Sequence, residues 1–165
     1  MLNDADAIMN AEDPIAACLA AGATVKKSTE TSSSSLNLSG VEFGASEAYT
    51  VTHTWTLPGK TGVRASFGKE SLKHTFIKLF KSEIQVGDPS FDDAVYISTA
   101  TEAATKRLLA SEQFQNGVLG FVATGGDVAV QDDTVTLRTR SADEHVEPDT
   151  MDSVSVLAAL LALVE

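Results

Sequence analysis

The chain is short of most residues that advertise chemistry. Its 165 residues include one cysteine, Cys18, so an intrachain disulfide and a cysteine-built zinc or iron–sulfur site are both excluded. Histidines number three, His53, His74 and His145, and no Gly-x-Ser-x-Gly element supplies a serine for them to activate. Neither the Gly-x-x-x-x-Gly-Lys-[Ser/Thr] loop nor Gly-x-Gly-x-x-Gly occurs, which removes nucleotide binding by those routes, and nothing in the chain calls for a cofactor. Long apolar runs are missing too. The longest, Val154 to Val164, is broken by Ser155 and falls short of the ~20 residues a membrane span needs. Positive charge is scarce at the start, where Asp4, Asp6, Glu12 and Asp13 stand in place of a signal peptide's basic region. The expectation is a cytoplasmic protein with no membrane span.

What is present is ordinary globular material. Hydrophobic residues make up 43% and charged residues 21%, a balance that favours a packed core over disorder. The net charge of −11 is unevenly spread. Residues 60–81 carry six basic groups against Glu70 alone, whereas residues 127–165 carry nine acidic groups against Arg138 and Arg140. The acidic excess repels phosphate backbones and argues against nucleic-acid binding. It suits a protein partner that is itself basic.

The period of the hydrophobic pattern changes along the chain. Asp13, Pro14 and Gly22 mark the start and stop of a helix, and the Ser/Thr-rich stretch 28–35 reads as a mobile connector after it. From 49 to 57, Tyr49, Val51, His53, Trp55 and Leu57 alternate with threonines, the signature of a half-buried antiparallel strand. Pro58 to Gly62 reads as a hairpin loop leading to a strand around Val63–Phe67, and residues 70–81 lean towards a further strand. Beyond residue 98 the period becomes helical. Thr99 and Glu102 have capping-box spacing ahead of Leu108-Leu109, and Phe114, Val118, Phe121 and Val122 form the next apolar stripe, ended by Gly125-Gly126. A hairpin around Asp132-Asp133, an acidic linker over 141–152 and a C-terminal helix follow. The fold class is α+β: an antiparallel β-meander, a helical segment, a β-hairpin and a C-terminal helix. Residues 1–35 form an N-terminal helix and connector, and residues 36–165 a single domain.

The densest cluster of chemically capable groups is Gly87-Asp88-Pro89-Ser90-Phe91-Asp92-Asp93. Asp88, Asp92 and Asp93 offer the carboxylate oxygens that calcium or magnesium takes, though without the alternating acids and closing glutamate of an EF-hand. The same residues also suit a purely structural turn. Gly87 frees the backbone, Pro89 fixes it, an aspartate can accept from loop amides, and Phe91 can plug the core. His53 shares a face with Val51 and Trp55, and Cys18 lies in an alanine-rich helix with no activating signature.

The run Lys78 to Asp92, with Gly87, Asp88, Phe91 and Asp92 in a Gly-Asp-x-x-Phe-Asp arrangement, resembles a family of bacterial proteins that has no assigned activity. The likeness extends over residues 60–164. It implies an α+β fold and a bacterial origin, and no catalytic residues. No nucleophile, base and oxyanion donor come together in the sequence, so the expected function is a non-catalytic binding or accessory module. Two alternatives stay open: an acidic inhibitor or immunity-type protein that masks a basic partner, and a metal-dependent enzyme using Asp88, Asp92 and Asp93.

Overall fold

Alternation in residues 49–56 gives one strand of the sheet a buried face and a wetter one. In the computed structural model, which describes residues 4–38, 41–69, 82–83, 88–141 and 151–164, Val51, His53 and Trp55 are buried while Thr52 and Thr54 are half-buried and Thr56 is exposed. The strands are β1 (Thr24–Leu38), β2 (Val41–Thr56), β3 (Arg64–Lys69), β4 (Ser82–Glu83), β5 (Val95–Thr99), β6 (Asp127–Gln131) and β7 (Thr134–Ser141). They form one antiparallel sheet in the order β1-β2-β7-β6-β3-β5-β4. The helices are α1 (Asp4–Met9), α2 (Pro14–Ala20), α3 (Pro89–Ala94), α4 (Glu102–Leu109), α5 (Glu112–Ala123) and α6 (Met151–Leu161). The α+β class is as read from the sequence.

One sheet face supplies the core. Leu137, Val128, Phe67 and Ile97 lie in register across the strands, level with His53 of β2, and join one apolar cluster with Trp55, α5 and α6; Val51 is equally buried. Phe67 of β3 meets Phe114 of α5 edge-to-face, with ring centroids 5.1 Å apart. Helix α6 is buried from Ser153 to Leu161, as its nearly unbroken apolar sequence requires. It lies against α5, α1 and α2. Close approach to α5 depends on two missing side chains. A Cβ on Gly117 would stand 2.7 Å from Val156 Cγ2 and 2.8 Å from the Asp152 carbonyl oxygen, and one on Gly120 would overlap the Asp152 carboxylate.

Three local expectations are corrected. Pro58–Gly62 is not a hairpin loop between neighbouring strands, because the β6–β7 hairpin is inserted between β2 and β3. The crossover is tied to that hairpin's turn. Leu57 N–H donates to the Asp133 carbonyl at 2.7 Å, Gly62 N–H to Asp132 Oδ1 at 3.0 Å, and Asp132 N–H to the Val63 carbonyl at 2.8 Å. Asp132 sits in the left-handed region, φ 61°, which aspartate tolerates better than most residues. Second, the stretch 28–35 is no connector: it lies within β1, paired from Ser28↔Thr52 to Ser34↔Ser46 with a register shift before Leu36. Serine and threonine fit a strand once a partner satisfies the backbone, and the partner lies in β2, beyond local reading. The proposed boundary at residue 35 therefore falls inside a strand, and Ile8 and Cys18 belong to the same apolar cluster as the rest. Third, Thr99 and Glu102 form no capping box. Thr99 is the last residue of β5 and its hydroxyl accepts from Thr101 N–H at 2.9 Å and pairs with the Thr105 hydroxyl at 2.8 Å. The expected strand over 70–81 lies outside the described residues.

Candidate functional site

The acidic segment resolves into the start of a helix. Asp88 is the N-cap of α3: its backbone is extended, and Oδ1 accepts from Ser90 N–H at 2.9 Å. Pro89 occupies the first turn, where its missing N–H costs nothing, and Phe91 is 1% exposed in the core. Asp92 adds a carboxylate to that first turn, favourable beside the positive end of the helix, and Asp93 is exposed. The motif is therefore a short capped helix that leads directly into β5. Gly87 lies outside the described residues, as do His74 and His145. Among the described residues no three His, Cys, Asp or Glu side chains converge as a metal site would require.

The other titratable groups are dispersed. His53 is buried on the core face of β2, level with Leu137 and Val128. Cys18 is fully buried, and burial pushes its thiol up to about 11 from 9.0, which keeps it protonated and unreactive at neutral pH. Asp127 pairs across the β6–β7 ladder with Arg138 at 3.5 Å. Burial raises its pKa, while Arg138 and then Arg140 pull it back down. Burial likewise raises Asp152, whose carboxylate occupies the space left by Gly120. These groups lie in separate places, and no pair of them faces a shared cavity.

A cavity does form where sequence reading singled out nothing. Between the N-terminal helices and the end of α6 lies a cleft of about 410 Å³. Helix α1 contributes Ala7 and Ile8, and α2 contributes Ala17, Ala20 and the following Ala21. Pro58 comes from the crossover after β2, and Leu161 and Val164 from the end of α6. The volume is within the usual range for small-molecule sites, ~300–1,000 Å³, and every lining side chain is uncharged and apolar. Its walls are shallow because four of the eight lining residues are alanines. Leu19, in the same helix as Ala17 and Ala20, is 46% exposed. An alanine-rich helix followed by a distant apolar C-terminal segment was the available signal. Nothing local joins the two.

Two smaller recesses, one lined by Arg107, Leu108 and Ala159 and the other by Thr61, Ala104 and Val164, also lie at the end of α6. No helix among the described residues is long and apolar enough to cross a membrane. No family model matches the chain, and neither a curated protein nor a solved structure shows a significant likeness to it.

Proposed function

We propose that the protein is a non-catalytic binding module, and that its ligand lays an unbranched aliphatic chain in the cleft between α1, α2 and the end of α6. The lining carries this reading: a cleft of about 410 Å³ walled by the side chains of Ala, Ile, Leu, Val and Pro offers apolar area with no polar side chain directed into it. Such a surface gains free energy in proportion to the apolar area it covers, ~25 cal/mol per Å², and favours a slender hydrocarbon over a polar metabolite. The net charge of −11 adds a preference. It disfavours an anionic headgroup and leaves an uncharged or cationic one.

The reading is tested by displacement of a neutral fluorescent polyene probe with dodecanol and with dodecanoate. Saturable binding is expected, with the alcohol displacing better than the carboxylate at low salt. Ala17→Phe and Ala20→Phe, which put a ring into the cleft, are expected to weaken binding about tenfold or more with the melting temperature nearly unchanged. Failure of wild type to bind either amphiphile would end the ligand assignment. The non-catalytic part is tested separately, with broad hydrolytic substrate panels. Turnover that disappears in Asp88→Ala or His53→Ala, with the fold retained, would overturn it.

A further inference from the structure

Strand β1 ends the sheet on one side, and from Lys26 to Glu30 each residue is exposed. Among the described residues nothing pairs with its outer edge. A 15-residue edge strand without proline is a ready template for another strand. Natural edges of this kind are commonly blunted by lysine, and Lys26 and Lys27 stand here. Glu30, however, lies four residues from Lys26 on the same strand face, and this changes what the lysines do.

We infer that β1 is a homodimer interface, in which a second copy pairs antiparallel with it about a twofold axis at Ser28. The register follows from hydrogen-bond parity and charge. In an antiparallel ladder, opposed residues both point their backbone groups at each other or both point them away. Two identical edges can thus oppose only residues of equal parity, which places the axis on a residue and not between two. An axis at Lys26 or Lys27 sets that lysine against itself, and an axis at Glu30 sets glutamate against glutamate; each is disfavoured by like charge. An axis at Thr29 opposes no charges of opposite sign. The axis at Ser28 places Lys26 opposite Glu30 of the second copy, twice by symmetry, and allows a ladder over residues 24–32. Among the described residues, none of Lys26, Lys27 and Glu30 makes an ion pair within its own chain, so both charges are available. This inference is independent of the cleft.

Sedimentation equilibrium at physiological salt, which screens the repulsion between two copies of charge −11, reads the result. A concentration-dependent dimer is expected. Lys26→Glu and Glu30→Lys, each creating two like-charge oppositions, are expected to weaken it about tenfold or more. The double variant Lys26→Glu/Glu30→Lys restores the opposite signs and is expected to recover dimerisation to within about threefold of wild type. Circular dichroism of every variant reports that the fold is kept. A protein that stays monomeric to millimolar concentration would overturn the inference. So would a dimer indifferent to either reversal, or a double variant no better than the singles.

Discussion

Residues 88–93 and the alanine-lined cleft make opposite impressions in sequence and in structure. The first region holds three carboxylates, a proline and an aromatic within six residues, and folds as the first turns of a short helix with Phe91 driven into the core. The second is built from Ala7, Ala17, Ala20 and Ala21, among the least reactive side chains available, and encloses about 410 Å³. The difference is one of reach. A cap needs only neighbours two or three residues away, so a dense local cluster satisfies itself. A cleft needs walls from separate elements that stop short of one another, and small side chains are how they do so.

Four measurements would break or sharpen that contrast, and the largest effect belongs to the core anchor. Phe91→Ala is expected to cost ~3–5 kcal/mol in urea unfolding, because a ring 1% exposed leaves a cavity behind. A cost under ~1 kcal/mol would show that the segment is not held by the core. Next comes the α5–α6 crossing, which sets α6 as one wall of the cleft. Gly117→Ala meets the Val156 methyl at 2.7 Å and a backbone carbonyl at 2.8 Å, and is expected to cost ~1–3 kcal/mol despite alanine's better helix propensity. Gly120→Ala meets only the end of a half-exposed carboxylate that can swing away, so it is expected to cost less.

A smaller effect separates the aspartates. Asp88→Ala is expected to lose ~1 kcal/mol with the N-cap, and Asp88→Ser to recover most of it. Asp93→Ala, at an exposed position, is expected to stay within ~0.5 kcal/mol of wild type. Equal losses at both positions, or a thermal shift with millimolar calcium, would return the segment to the metal reading. The effect confined to alkaline pH comes last, because it is absent at neutral pH. Burial holds the Cys18 thiol protonated in the fold up to about 11 against 9.0, so the folded state binds the proton more tightly than the unfolded chain. That contribution is complete below pH 9 and is lost as pH rises towards about 11. The urea midpoint is expected to fall over this window in wild type and to fall less steeply in Cys18→Ala.

Much of the scaffold was legible because its signals are local. The period-two run at 49–57, the stripe Phe114–Val122, the Asp13-Pro14 start and the Asp132-Asp133 turn each name an element that the structure contains. What escaped depended on partners distant in sequence. Residues 28–35 are a strand because β2 supplies their hydrogen bonds, and Pro58–Gly62 is a crossover because Asp132 and Asp133, some 70 residues later, hold it. The C-terminal stripe proved to be a helix buried from Ser153 to Leu161, since α1 and α2 cover what α5 leaves open. The cleft combines all of these dependencies: its walls come from α1, α2, the crossover and the end of α6.

The most direct test is an NMR titration of the full chain with dodecanol, read on both backbone amides and methyl groups. Saturable shifts centred on Ala17, Ala20, Leu161 and Val164 are expected, with the amide resonances of Phe91 and its neighbours in α3 unmoved. Shifts centred on Asp88–Asp93 or around His53, or no saturable shift at all, would contradict it.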